Sequence, residues 1–90
     1  MLFMLIETFK RGEIKNVYRR VRDEGRKLPD GLKYIDSWIE ASFGRCFQLM
    51  ECEDVRLLQQ WVLHWSDLAD FEIVPVAPSK DVRAMIDPLL

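Results

Sequence analysis

The sequence predicts an α+β domain in which one antiparallel sheet of four strands carries two helices on the same face. Three observations lead to this prediction. The segments MLFMLIETF, RCFQLMEC and DFEIVPVA are apolar on both faces, as in strands that are covered on both sides. Two amphipathic segments alternate with the strands. The connection Ser42-Phe43-Gly44 has hairpin length, so the strands beside it are expected to pair antiparallel.

The first half of the chain predicts a strand, a helix and a second strand. The strand covers residues 2–9, and the turn 10–12 leads into a helix over about 13–27. Turn chemistry at 28–31, with a proline and a glycine, precedes the second strand at about 32–41. The buried stripe of the helix is expected to contain the apolar residues at helical spacing, namely Ile14, Val17, Tyr18, Val21 and Leu28.

The second half predicts a strand at 45–53, a helix at about 55–67 and a last strand at 70–77. Asp54 is expected to cap this helix. Ser79 is expected to cap a short final helix that ends at Asp87-Pro88, so residues 1–78 form the domain and 79–90 a short helix and tail. The buried stripe of the long helix is predicted to be Val55, Leu58, Trp61, Val62, Trp65 and Leu68.

A β-α-β-β-α-β order with a central hairpin is the ferredoxin-like arrangement, in which right-handed crossovers place both helices on one side of the sheet. The other side is then bare. Leaving a large apolar side chain in water forgoes roughly 1.5 to 3 kcal/mol, so several such side chains need a cover. Two sheets packed face to face would cover each other, which predicts a homodimer through the open sheet face with a chamber between sheet and partner.

Charge narrows the range of partners. The net charge of −2 argues against nucleic-acid binding, which needs a dominant basic surface. Residues 1–45 carry ten Lys/Arg and seven Asp/Glu, whereas residues 46–90 carry three and eight. This asymmetry could steer two subunits together or attract an anionic ligand. The alternative is that it only reflects solvated helix faces.

The cysteines and the start of the chain indicate a cytoplasmic protein with no membrane partner. Cys46 and Cys52 lie on one strand, roughly 20 Å apart, which is too far for a disulfide. The start MLFMLI reaches Glu7 too soon for a membrane span or a signal core. Neither cysteine nor any acid stands at ligand spacing from the single histidine, so no metal and no cofactor is expected.

The stretches LPDGLKYIDSW, RCFQLMEC, LLQQWVLHWSDL and DFEIVPV resemble the small domain-of-unknown-function family 3303 over nearly the whole chain. The resemblance implies membership of the dimeric α/β-barrel superfamily. Other branches of that superfamily include cofactor-free quinol monooxygenases, muconolactone isomerases and haem-dependent peroxidases. It further implies a ligand between sheet and helices or in the dimer cleft. Catalytic residues vary between the branches, so it assigns none here.

The alternation of side chains along the central hairpin predicts a ligand-binding surface. Phe47 and Leu49 are expected to face the helices, together with Ile35, Ser37 and Ile39. The residues predicted to line the opposite, cavity side are Tyr34, Asp36, Trp38, Gln48 and Met50, beside Cys46 and Cys52. An aromatic wall with a few hydrogen-bonding groups suits a small, flat organic ligand. The alternative is a dimer interface in which these groups satisfy one another.

Three titratable residues are further candidates for the ligand site. Glu7 and Glu51 are expected near the ends of parallel neighbouring strands, where mutual repulsion and burial would raise the pKa and make a general base. The alternative is that they cap a helix or pair with an arginine. His64 could shuttle a proton near neutral pH or could simply be a packed or surface residue.

Three hypotheses for function remain open at this point. The first is a small homodimeric protein that binds an apolar or aromatic molecule between sheet and helices or partner. The second is a cofactor-free enzyme of the monooxygenase or isomerase type. The third is a structural module that only dimerises. An unfilled chamber separates the first two from the third, and activity requires in addition a titrating group that points into that chamber.

Overall fold

A computed structural model describes all 90 residues, Met1–Leu90. The elements follow the predicted order: β1 has the predicted bounds, β4 lies one residue earlier than predicted, and the four elements between them are shorter than predicted. They are β1 (Leu2–Phe9), α1 (Ile14–Glu24), β2 (Lys33–Ile39), β3 (Arg45–Glu51), α2 (Val55–Trp65), β4 (Ala69–Val76), α3 (Ser79–Ile86) and a final 3-10 turn (Asp87–Leu89). No helix has the length and apolar character needed to cross a membrane.

The strands form one antiparallel sheet in the order β2-β3-β1-β4, which confirms the ferredoxin-like α+β fold. Residue partners across β1 and β3 run from Leu2 beside Glu51 to Thr8 beside Arg45. The prediction that these two strands are parallel neighbours was therefore wrong. Because they are antiparallel, Glu7 lies beside Cys46, at the other end of the pair from Glu51.

The core lies between the sheet and both helices. Phe3, Leu5 and Met50 from the central strands pack with Val17 of α1 and with Leu58 of α2 in one buried cluster. Every second side chain of a strand lies on the same face of the sheet. The residues of β1 and β3 that share the helix side with this cluster therefore include Glu7, Cys46 and Gln48, all of them buried. The helix side of the sheet thus carries a polar pair inside an otherwise apolar layer.

The other side of the sheet carries no helix, and we call it the open face. Phe47 and Leu49 lie on it, so the prediction that they face the helices was wrong, and the prediction for Gln48 and Met50 is reversed with it. The signal was ambiguous because both faces of β3 are apolar. The open face is formed by Leu2, Met4, Ile6, Trp38, Phe47, Leu49, Val74 and Val76, with Lys33, Arg45, Glu51, Asp70 and Glu72 among its charged residues.

A β-bulge in β2 breaks the alternation on which the prediction for this strand rested. Tyr34 is the partner of Met50, but Asp36, two residues later, is the partner of the next residue of β3, Leu49. Ile35 is therefore the extra residue, and it is exposed. As a result Tyr34 and Ser37 share the helix side, whereas Asp36 and Trp38 lie on the open face.

The ends of the helices confirm one predicted cap and correct another. The Asp54 side chain accepts a hydrogen bond from the backbone N–H of Arg56 at 2.9 Å, as expected for the cap of α2. At α3 the cap position is Pro78, and Ser79 is the first helical residue without a capping bond. Val55 is exposed rather than buried, and α1 ends before Leu28.

Candidate functional site

A cavity of about 120 Å³ opens between α1 and the helix side of the sheet. Its buried lining consists of Glu7, Cys46 and Gln48 from the central strands, Val17 from α1 and two tryptophans from α2, whereas Tyr18 and Ile39 are partly exposed. The complete lining is Glu7, Phe9, Val17, Tyr18, Val21, Arg26, Ser37, Ile39, Cys46, Gln48, Trp61 and Trp65.

The polar floor of this cavity is the pair of Glu7 on β1 and Gln48 on β3. Gln48 Nε2 donates a hydrogen bond of 2.7 Å to Glu7 Oε2, and each residue is only 5% exposed. Gln48 Oε1 is buried and has no hydrogen-bond partner in the chain. A buried amide oxygen without a partner costs about 1 to 3 kcal/mol, so this atom is an acceptor that the chain itself leaves unsatisfied.

Burial raises the pKa of Glu7 from its ordinary value of 4.5 to about 7, because the ionised carboxylate loses its hydration. The hydrogen bond from Gln48 and the positive charge of Arg26 act in the opposite direction, since both favour the ionised form. Near neutral pH the carboxyl group is thus divided between its protonated and ionised forms. Such a group can either accept or release a proton, which is the property required of a general acid or base.

The segment between α1 and β2 closes one side of the cavity. Trp61 Nε1 and Trp65 Nε1 both donate to the backbone oxygen of Arg26, at 2.8 Å and 3.2 Å. The Arg26 guanidinium lies over the Tyr34 ring, 3.6 Å from its centroid, and the Tyr34 hydroxyl is hydrogen-bonded to the Ser37 hydroxyl. The two indoles therefore fix the backbone at Arg26 beside a cavity that they also line.

The thiol of Cys46 lies in the same wall, but it is not an activated nucleophile. Burial, together with the nearby charge of Glu7, raises the pKa of this thiol to about 11, against a smaller opposing effect of Arg26. It is therefore protonated near neutral pH. The pKa of Tyr18, across the cavity, is also raised, by burial first and then by the ionised forms of Cys46 and Glu7.

The predicted site residues separate into distinct places. Glu7 and Gln48 meet in the cavity. Tyr34 does not line it but contacts two residues that do, Arg26 and Ser37. The others lie outside it: Asp36 and Trp38 on the open face, Glu51 at the far end of β3, Met50 in the core, and His64 exposed on α2 with its backbone oxygen bonded to Arg20. The single surface expected for Tyr34, Asp36, Trp38 and Gln48 is therefore split between the two sides of the sheet.

Sequence reasoning missed the residues that line the cavity from the helix side and from the loop. Trp61 and Trp65 were expected only as core, and Arg26 was expected within the first helix, whereas it lies in the loop just after α1. A usable signal was present in β1, where Glu7 has the same parity as Phe3 and Leu5. A carboxylate within a buried apolar row is rare unless it has a partner or a role.

No group of three or more His, Cys, Asp or Glu residues lies in a position to hold a metal ion.

Comparison with known proteins gives a family but no characterised relative. Neither a curated protein nor a solved structure matches the chain. One family model matches residues 1–90, and the chain therefore belongs to the family described as Domain of unknown function (DUF3303).

Proposed function

We propose that this protein binds a small, flat, mostly apolar molecule with a hydrogen-bond donor in the cavity between α1 and the sheet. The observation that carries the proposal is the buried Gln48 Oε1 atom, which has no partner in the chain and belongs to a residue that lines the cavity. Its neighbour Glu7 holds the amide in place through Nε2. A ligand donor would satisfy the one polar atom of this pair that the chain leaves unpaired.

The size of the cavity limits the ligand. About 120 Å³ is close to the roughly 150 Å³ of an engineered apolar cavity that holds benzene, and well below the 300 Å³ or more of sites for drug-sized molecules. Val17, Val21 and the two tryptophans provide apolar contact for a ring. The supported ligand class is thus a single-ring compound, or the ring of a larger compound that enters from the Tyr18 side.

Phenol and toluene test this proposal because they have nearly the same shape and differ in one donor. We expect the wild-type protein to bind phenol roughly fivefold more tightly than toluene, since one hydrogen bond contributes about 1 kcal/mol. Binding is measured by titration with ¹H–¹⁵N spectra, and the shifts should be confined to residues around the cavity. Equal affinity for the two probes, or shifts elsewhere, would contradict the proposal.

Two variants locate the binding. Gln48→Leu should remove the preference for phenol, whereas Gln59→Leu, the same change at an exposed position of α2, should retain it. Val17→Phe should fill the cavity and abolish binding of both probes, whereas Val55→Phe, at an exposed position, should not. Native mass spectrometry of gently purified protein would in addition reveal any retained small molecule by its added mass.

A second candidate function is cofactor-free proton transfer, and the state of Glu7 favours it. A carboxyl group with a pKa of about 7 that lines a cavity is suited to remove a proton from carbon and to return it. An isomerisation needs no further reactant. The base takes a proton from the carbon between a carbonyl and a double bond, the electron pair forms a dienolate, and the same proton returns to the γ carbon.

The probe for this candidate is 3-cyclohexen-1-one, a single-ring ketone that isomerises to the conjugated 2-cyclohexen-1-one with a change in ultraviolet absorbance. We expect kcat/KM to rise with pH through about 7, as Glu7 ionises. Glu7→Gln should reduce the rate at least a hundredfold, and Glu72→Gln, at an exposed position of β4, should leave it unchanged. A rate no higher than that of buffer would refute catalysis of this class while leaving the binding proposal in place.

A further inference from the structure

An open groove of about 480 Å³ adjoins the cavity, and Tyr18 lines both. The lining of this outer groove is Ile14, Lys15, Tyr18, Arg19 and Phe43. Residues three and four apart are neighbours on a helix, about 5 to 6 Å from each other, so Ile14 and Lys15 lie beside Tyr18 on α1. A molecule held in the cavity therefore reaches the outer groove by passing the Tyr18 side chain, which is itself half exposed.

The outer groove carries positive charge that no carboxylate of the chain neutralises. Lys15 and Arg19 line it, and its lining contains no acidic residue. Neither forms a salt bridge, and Arg19 Nη1 donates only to the neutral amide oxygen of Asn16, at 2.9 Å. The next residue of α1, Arg20, is by contrast paired with Asp67 at 2.7 Å. The outer groove is thus suited to an anionic group.

Phe43, in the connection between β2 and β3, lines the outer groove opposite α1. Its φ angle of +63° lies in the left-handed region, which is unfavourable for a bulky side chain, and its ring is 61% exposed. A ring that is mostly in water contributes little burial to offset this backbone strain. Strained residues of this kind are concentrated at ligand-binding sites, and Phe43 supplies the outer groove with an aromatic contact.

The polar floor of the cavity determines which end of a ligand lies inward. Gln48 Oε1 lacks a hydrogen-bond donor, and Glu7 beside it carries negative charge whenever it is ionised. Arg26, the cation of the cavity lining, has its guanidinium placed over the Tyr34 ring. A ligand that has both a donor and an anionic group therefore binds with its donor at the floor and its anionic group in the outer groove.

We propose that the ligand is a single-ring compound with a hydrogen-bond donor on one side of the ring and a short chain that ends in a carboxylate or phosphate on the other. The ring lies in the cavity, the chain passes Tyr18, and the anionic group lies at Lys15 and Arg19 beside Phe43. This inference rests on the proposed function, because it extends the same site beyond the cavity and names its ligand class.

The probes are 3-(4-hydroxyphenyl)propionate and its amide, which have nearly the same shape and differ in charge. We expect the wild-type protein to bind the acid roughly fivefold more tightly than the amide at low ionic strength, since two exposed ion pairs favour the acid. The difference should shrink in about 0.5 M salt, because exposed charges are then screened. In ¹H–¹⁵N spectra the acid should shift residues 14–19 and 43 in addition to the residues around the cavity.

Variants of the outer groove locate the anionic group. The double variant Lys15→Met/Arg19→Met should bring the ratio of acid to amide affinity to about one. Lys80→Met/Arg83→Met removes the same charge from exposed positions of α3 and should retain the wild-type ratio. Phe43→Gly suits the positive φ and so retains the fold, but it should weaken both probes roughly threefold relative to phenol.

The outcomes distinguish this inference from the proposed function. If phenol binds in the cavity but the acid and the amide bind equally, the anionic class is wrong and the proposed function stands. If the acid shifts only residues of the outer groove, or if its preference survives in Lys15→Met/Arg19→Met, the continuous site is wrong. If phenol itself does not bind, the proposed function fails and this inference fails with it.

Discussion

Gln48 donates a hydrogen bond to Glu7 across the β1–β3 pair, and this contact makes a buried carboxylate tolerable without an ion pair. The Nε2 to Oε2 distance is 2.7 Å, and no arginine or lysine lies within salt-bridge distance of Glu7. One neutral donor only partly replaces the lost hydration, which is why the pKa of Glu7 remains about 7. The same contact leaves the other end of the amide, Oε1, without a partner in the chain.

Glu7 should make the stability of the protein depend on pH in the direction opposite to most carboxylates. Its pKa is raised on folding, so its contribution is fully present below about 4.5 and is lost as pH rises through about 7. We expect the free energy of unfolding of the wild type to fall by about 2 to 3 kcal/mol between pH 5 and pH 8.5 from this group alone. Urea denaturation at several pH values measures it.

The matched variants for this prediction are Glu7→Gln and Glu72→Gln. The first removes the titrating group and should flatten the dependence, leaving the variant more stable than the wild type at pH 8.5. The second changes an exposed glutamate of β4 and should retain the wild-type slope. A Glu7→Gln protein that keeps the full slope would show that another group is responsible.

Removal of the Gln48 amide should raise the pKa of Glu7 further. The amide is the favourable hydrogen bond of the carboxylate, and bonds to charged groups contribute about 1.5 to 3 kcal/mol. In Gln48→Leu we expect the Glu7 pKa to move from about 7 to above about 8, as followed by the ¹³C shift of its carboxyl carbon. Gln59→Leu serves as the control, and an unchanged or lower value in Gln48→Leu would contradict the account of this contact.

The order of elements was predictable because it depends on local signals. Periodicity, the Asp54 cap and the connection between β2 and β3 each act within a few residues. The side of the sheet on which residues lie was not predictable in β3, since Phe47 and Leu49 are as apolar as their neighbours on the opposite face. In β2 the bulge at Ile35 reverses which side of the sheet the later residues of the strand face, and no residue type at that position indicates a bulge.

The candidate site was predictable only in part for the same reason. Glu7 and Gln48 stand out as polar residues within apolar strands, and the structure brings them together. Asp36 and Trp38 were grouped with Gln48 through a parity argument that the register does not follow, and Glu51 was grouped with Glu7 through a parallel pairing that β1 and β3 do not have. The position of Arg26 beside the cavity depends on hydrogen bonds from Trp61 and Trp65 to its backbone oxygen. Contacts between residues so far apart in sequence cannot be predicted from spacing.

Gly31 should tolerate alanine less well than Gly12, although both have positive φ. The φ angles are +93° and +80°, so each substitution introduces backbone strain. An added Cβ at Gly31 would in addition lie 3.1 Å from Leu57 Cδ1, whereas nothing lies within 4 Å at Gly12. We expect Gly31→Ala to lower the melting temperature more than Gly12→Ala. Equal losses would show that Leu57 moves aside without cost.

Trp61 should contribute more than Trp65 to the order of the segment between α1 and β2. Both indoles donate to the Arg26 oxygen, but the Trp61 bond is shorter, and Trp61 also packs edge-on against Phe71 at 5.4 Å between centroids. Replacement by phenylalanine removes the donor in each case while keeping a ring.

We expect Trp61→Phe to cost about 1 to 2 kcal/mol of unfolding free energy and Trp65→Phe less, because Trp61 makes the shorter bond. In either variant the remaining indole still donates to the Arg26 oxygen. The double variant should cost more than the sum of the two, since it leaves that oxygen without either donor. Hydrogen exchange should then be faster in residues 25–32, whereas exchange in β1 and β3 should stay slow. Strictly additive losses, with no change in exchange at 25–32, would mean that the indoles act only as core side chains.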